Sequence, residues 1–265
     1  MIFVITHKIF DESMIDKKNY KILHVGKNEN CKDYYLRDDS LDNISYKNNN
    51  YCELTGLYWI WKNYKENTNS IVGIMHYRRY FTTNFQNFLY TYFNKKPQCI
   101  EYTLIKNKLK IVDIIVPKKI RILNTVEGFY SERHCKDDLY LTKETIQEIC
   151  PDYLDAYQRV MKSHHFIYAN MMVCKRNLFN QYCEWLFSIM DSLEKKIDLR
   201  KYENNYQKRV FGFISERLLQ VWIVKNNLSF IEFPVFNTEE RSINIFQKNI
   251  NRVKKLLSKA HKNFL

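Results

Sequence analysis

An α/β fold with a mostly parallel central sheet is what this chain of 265 residues predicts, and three observations lead there. Short apolar, β-branched runs recur at 2–6, 21–25, 71–77, 111–116, 166–174 and 229–233. Segments with apolar residues at helical spacing lie between them. A hydrophobic content of 45% is enough to cover such a sheet with helices on both faces.

The first run, Ile2 to Thr6, reads as a buried strand with a polar end at His7 and Lys8. A second strand, Lys21 to Val25, stops at Gly26. Residues 27–50 are polar, with RDDS at 37–40 and asparagines at 48–50, and read as a long loop of the kind that often carries function. Leu54, Leu57, Tyr58 and Trp61 fall at i, i+3, i+4 and i+7 and predict an amphipathic helix. It leads into a buried strand at 71–77 that runs out through His76, Tyr77, Arg78 and Arg79. A strand from Ile111 to Val116 is stopped by Pro117 and followed by Lys118 and Lys119. Helix is expected over 141–162, strand over 166–174, helix over 177–196 and again over 207–225, and a last strand from Ser229 to Phe233 before Pro234. Ligands of such sheets bind beyond the carboxyl ends of the strands. His7–Lys8, His76–Arg79 and Lys118–Lys119 should then share one basic rim.

Length fits one domain, taken as 1–240, followed by a tail at 241–265. The tail contains no acid from Arg241 onward. Val253, Leu256, Leu257, Ala260 and Phe264 make an apolar helical stripe, with Lys254, Lys255, Lys259 and Lys262 mostly off it. This is the pattern of an amphipathic helix on an anionic membrane surface, or of a packed helix with a solvated lysine face.

A net charge of +13 calls for an acidic partner: nucleic acid, an anionic membrane or a phosphorylated small molecule. Seven cysteines with no CxxC pair argue against a disulfide framework and a structural zinc site, and fit a reducing cytoplasm. The opening MIFVITHKIF turns polar too early for a signal peptide, and no apolar run approaches the ~20 residues that span a bilayer. A soluble or peripherally attached protein is expected.

Arg78 and Arg79 at a ligand-side strand end suit phosphate or diphosphate, which guanidinium forks bind bidentately. A bridge from the pair to an acid such as Glu53 is the structural alternative. Transfer of a group to a hydroxyl requires a general base. Asp137, Asp138 and Glu216 are the candidates, and Glu216 gains from the apolar run Phe213, Ile214, Leu218 and Leu219 around it. His134, His164 and His165 lack any metal-ligand spacing such as HExxH. The chain has no GxxxxGK[ST], no GxGxxG and no GxSxG, which removes most support for kinase, dehydrogenase and hydrolase chemistry.

The runs DNISYKNNNYCELTGLYWIWKN, GIMHYRRYF, DIIVPKK, NMMVCKRNLFNQYCEWLFSIMDSLE and RVFGFISERLLQVW resemble, in order, the family catalogued as domain of unknown function 4422. That family contains bacterial capsular, exopolysaccharide and lipopolysaccharide glycosyltransferases, and the resemblance spans about residues 2–236. It implies a GT-A-like, Rossmann-type sandwich. It also implies transfer of a hexose, with galactofuranose or galactose as candidates, from a UDP-sugar to a hydroxyl of a growing, lipid-linked surface polysaccharide with inversion. On this footing Thr6, His7 and Lys8 border the nucleotide. Asp42, Asn43, Ser45 and Lys47 belong to a loop closing over the donor, and His76, Tyr77, Arg78 and Arg79 meet the diphosphate. Glu216 is the expected base, because some inverting GT-A enzymes keep a glutamate near the start of a late helix, with Asp138 as the alternative. His134, Asn170 and Arg217 fall to acceptor contacts or to the support of catalytic groups. Many GT-A enzymes hold a divalent metal with Asp-x-Asp, and here the corresponding strand ends in His-Tyr-Arg-Arg. No tightly bound cofactor and no metal requirement are therefore expected, with arginine taking the metal's part. The implied location is the cytoplasmic face of the inner membrane, reached through residues 245–265. A basic nucleic-acid-binding module and a non-catalytic scaffold of a polysaccharide assembly complex are the rival readings.

Overall fold

The computed structural model describes residues 1–27, 31–65, 67–93 and 98–239. Its strands are β1 (Ile2–Thr6), β2 (Tyr20–His24), β3 (Leu36–Arg37), β4 (Ile71–His76), β5 (Arg79–Phe81), β6 (Ile114–Pro117), β7 (Ile120–Arg121), β8 (His165–Phe166), β9 (Met172–Lys175), β10 (Phe230–Phe233) and β11 (Val235–Asn237). The helices are α1 (Asn48–Tyr51), α2 (Leu54–Asn63), α3 (Asn84–Phe93), α4 (Tyr102–Lys108), α5 (Val126–Ser131), α6 (Asp137–Ile149), α7 (Leu154–Met161), α8 (Arg176–Lys196) and α9 (Val210–Lys225). The proposed tail helix at 245–265, and the boundary at 240 and 241, lie outside the described residues.

The central sheet runs β10-β6-β9-β4-β1-β2-β3, and β5 joins β4 to β11 at one end. All strands on that path are parallel except β9, which runs against both its neighbours. Strand residues alternate between two apolar layers, as the pleat requires. Phe3, Ile5, Val72, Ile74, Ile114, Val116, Met172 and Cys174 enter the larger core, which α2, α6, α7, α8 and α9 cover. Ile2, Val4, Ile115 and Val173 face a smaller core closed by Tyr80, Phe81, Ile105, Leu109 and Phe236. The mostly parallel sandwich covered on both faces is thus present.

Helix α2 lies close on the sheet. A Cβ at Gly56 would stand 2.9 Å from Val25 Cγ1, so only glycine allows this approach. Carbonyls of its last turn are met by the buried Arg176, whose guanidinium donates to Trp61 O at 2.8 Å and to Ile60 O at 3.2 Å, the latter also accepting the Tyr64 N–H.

Several expected elements are divided. The helix read over 141–162 is two helices, α6 and α7, because Pro151 lacks an N–H and disfavours helical backbone at Cys150, where φ is −149°. The strand read over 166–174 is β8 and β9, separated by a turn in which Ala169 and Asn170 adopt left-handed φ of 75° and 41°. The strand read from Ile111 begins at Ile114, since Ile111 N–H still bonds to Lys108 O at the end of α4. The loop over 27–50 contains β3 and the first turn of α1. All seven cysteines are free thiols.

Candidate active site

The carboxyl ends of β1 and β4 open on a cavity of about 920 Å³. Its walls come from five places in the sequence: the β1 end, Val25 just past β2, the α1 turn through Glu53, the β4–β5 hairpin, and the segment from Leu199 into α9. Thr6, His7, His76, Tyr77, Arg78, Arg79 and Glu216, all singled out from sequence, line it.

The His-Tyr-Arg-Arg run is a hairpin rather than a strand end. His76 pairs with Arg79 across it, leaving Tyr77 and Arg78 in the turn. Arg78 donates to Glu239 at 2.7 Å, whereas Arg79 has no carboxylate within 4 Å among the described residues. The alternative of an arginine bridge to Glu53 is not found. Glu53 Oε1 instead accepts from Asn170 Nδ2 at 2.7 Å. Burial pushes the His7 pKa down, with Lys8 and Arg78 adding to it, and burial does the same for His76.

Glu216 sits in α9 with Oε1 accepting the Ala169 N–H at 3.3 Å and Oε2 accepting from Arg217 Nη1 at 3.0 Å. Burial raises its pKa. Arg217 and Arg79 pull it back and the nearby Glu53 pushes it further up. Arg217 is buried, donates also to Phe213 O at 2.7 Å, and stacks over Phe166. It therefore orients Glu216 from behind. Asn170 similarly supports Glu53 and reaches Ser215 Oγ at 2.7 Å. His76 Nε2 lies 2.6 Å from Ala169 O, and since a carbonyl only accepts, that nitrogen carries the proton. The two-residue turn at Ala169 and Asn170 thus holds Glu216, His76 and Glu53 together.

Other sequence-chosen residues lie elsewhere. Lys8 stands at the margin, 3.6 Å from Glu239 and over the Tyr77 ring. Asp42 accepts from Tyr58, and its backbone N–H bonds to Asn63 on α2. Asn43 closes its own turn on Leu41 O and Ser45 N. Ser45 is buried and donates to Asp38, which also accepts from Gly26 N–H. Lys47 pairs with Glu194 on α8. This stretch fixes the loop to α2 and α8, and the Asn48–Asn50 run after it is what faces the cavity. Asp138 is fully buried, its oxygens committed to Tyr130, Tyr202 and Lys201 at 2.9, 2.6 and 2.9 Å. That carboxylate ties α5, α6 and the 199–202 turn together, away from the cavity. His134 bonds to Gln207 and stacks on Phe213, one layer behind the wall. Lys119 turns to Glu232 and the Phe230 ring, and neither Lys118 nor Lys119 lines the cavity.

Sequence reading missed Glu53 as a wall residue and the cations Arg200, Lys208 and Arg209. Arg200 is held by Asp198, and Arg209 Nε donates to Cys52 Sγ at 3.0 Å. A signal existed for the last two. The helix dipole disfavours cations at an N-terminus, yet Lys208 and Arg209 immediately precede α9, which suggests an anion to share. Arg78, Arg79, Arg200, Lys208 and Arg209 bring five Lys or Arg side chains against two carboxylates, Glu53 and Glu216. The N-terminus of α9 adds its own positive end to the same wall.

Such a cavity can bind a polyanion and take up a proton at one carboxylate. A divalent metal would want several oxygen ligands. The two glutamates already accept protein donors, and no group of three or more His, Cys, Asp or Glu gathers to hold an ion among the described residues.

Residues 1–227 match the family described as domain of unknown function 4422. Among solved structures, the bifunctional glycosyltransferase WbbM in its apo form aligns with a TM-score of 0.75 and 30% identity. The alignment covers 90% of this chain and 45% of that one, so the chain spans under half of that enzyme. No curated protein matches. Taken with the cavity at the strand ends, these matches lead to one statement: the chain belongs to the family of domain of unknown function 4422 and has a fold like that of a glycosyltransferase.

Proposed function

We propose that the chain is a nucleotide-sugar-dependent hexosyltransferase acting on a hydroxyl of a lipid-linked surface polysaccharide, with UDP-galactofuranose or UDP-galactose as candidate donors. The observation that carries this reading is the pairing, in one cavity, of a cluster of cations with a half-buried, hydrogen-bonded carboxylate, Glu216, whose pKa is raised. Arg79, Lys208, Arg209 and the α9 N-terminus would receive the diphosphate. The acceptor oxygen attacks the anomeric carbon, the bond from that carbon to the diphosphate oxygen breaks, and UDP leaves with the electron pair. Glu216 takes the acceptor proton. Preorganised arginines offset the charge that builds on the leaving group, the part a metal plays in many enzymes of this fold.

A screen of UDP-, GDP- and TDP-sugars by thermal shift tests the donor class, since ligands of the folded state raise its apparent stability. UDP-sugars are expected to stabilise most. Turnover is expected to survive excess EDTA. Complete loss of turnover, restored by manganese or magnesium, would reject the arginine role while leaving the transferase reading intact.

A further inference from the structure

Helix α3, NFQNFLYTYF, contains no charged residue. Phe85, Phe88, Tyr92 and Phe93 fall on one stripe at helical spacing, and they are 68%, 47%, 59% and 69% exposed. Phe88 packs on Tyr92 and Phe93, so these three rings form a continuous surface patch, with Phe85 one turn before Phe88 on the same stripe. On the inner side, Tyr90 holds the helix to Phe236 of β11. Soluble proteins rarely leave such a patch in water, and one that remains marks a contact surface.

We propose that α3 is a membrane-docking helix whose aromatic stripe enters the interface of an anionic bilayer. Charge selects this occupant. Between residues 82 and 112 there are five lysines and one glutamate, and the whole chain carries +13. Lys106 and Lys110 on and just after α4 are exposed, and α4 and α3 pack on the same smaller core. Aromatic rings prefer the headgroup boundary, and flanking lysines favour anionic lipid. A sugar-stacking platform would surround its rings with hydrogen-bonding side chains, whereas this stripe is mainly phenylalanine.

The position of α3 gives docking a consequence. Only Thr82 and Thr83 separate α3 from β5, whose first residue, Arg79, lines the cavity. A helix seated in the interface holds the cavity mouth near the bilayer, where a lipid-linked substrate resides. The inference concerns binding alone, so its failure would leave the transferase reading untouched.

The test uses the full chain with vesicles of phosphatidylcholine, with and without phosphatidylglycerol. Amide hydrogen exchange in peptides covering 84–93 is expected to slow on the anionic vesicles. Combined Phe85→Ser, Phe88→Ser and Phe93→Ser should weaken partitioning at least tenfold with an unchanged melting temperature. Absence of vesicle binding, unaltered exchange at 84–93 on bound protein, or full binding by the triple variant would overturn the proposal. So would protection of 84–93 that needs no lipid and follows self-association in sedimentation, or that follows added oligosaccharide.

Discussion

At Glu216, desolvation and the charge of Arg217 act in opposite directions on one carboxyl, and desolvation prevails. A base must be ionised to accept a proton, so kcat/KM should rise with pH through a pKa above the usual glutamate range. Glu216→Gln is expected to lower kcat by about 10²–10⁴-fold while UDP binding persists. Near-normal turnover would remove Glu216 from the role. The folded-state pKa lies above the unfolded one, so this group's contribution to stability is present at acid pH and is lost as pH rises through the folded value. The glutamine variant should lack that loss in urea titrations across the same range. Asn170 allows a second test. Asn170→Gly removes the amide from Glu53 but accepts the left-handed backbone; Asn170→Ala removes it and adds strain of about 1 kcal/mol. Urea midpoints should rank glycine above alanine, and both variants should shift the pH–rate profile alike. Profiles identical to the parent's would refute a role for this amide in tuning the cavity.

Among the elements, β1, β4 and β9 meet at their tightest point over Gly73. A Cβ there would stand 2.4 Å from Ile2 Cδ1 and 2.9 Å from Val173 Cγ2. Gly73→Ala should cost about 1–3 kcal/mol through overpacking, read from denaturant midpoints. Because it lies within the strands, the pH–rate profile should be unaffected. The strands β1, β2, β4 and β6 were legible because strands buried on both faces leave dense apolar runs. Helices α2 and α8 were legible from their apolar periodicity, and α9 from its long apolar run. By contrast, β3, β5, β7, β8 and β11 are two or three residues long, too short for a period to register. The Ala169–Asn170 turn was hidden for another reason. Neither residue is glycine, and FIYANMMVC reads as a continuous apolar run until tertiary contacts break it.

For the molecule as a whole, sequence placed strand-end residues along one rim of the cavity and missed most of the rest of its wall. The residues at strand ends could be placed because strand direction places them. Glu53, Lys208 and Arg209 arrive from a helix cap and from the turn before α9, and their nearness to Arg79 depends on how helices cross the sheet. Periodicity does not encode that. The position of β9 also makes a whole-molecule prediction, because it is the joint between β4 and β6. A fragment ending at residue 165 lacks this joint and should leave strand edges unpaired. Size-exclusion chromatography should find it aggregated, and a monodisperse fragment that melts cooperatively would contradict this.

The same joint imposes a schedule on synthesis. Strands β4 and β6 leave the ribosome well before β9, which follows β6 by roughly 60 residues. At about 5–20 residues per second, that is ~3–12 s during which the β4 edge of the growing sheet stays open and β6, whose neighbours β9 and β10 both come later, has no strand to pair with. The nascent chain is most vulnerable to misassociation in that interval, and rare codons between 118 and 171 would lengthen it.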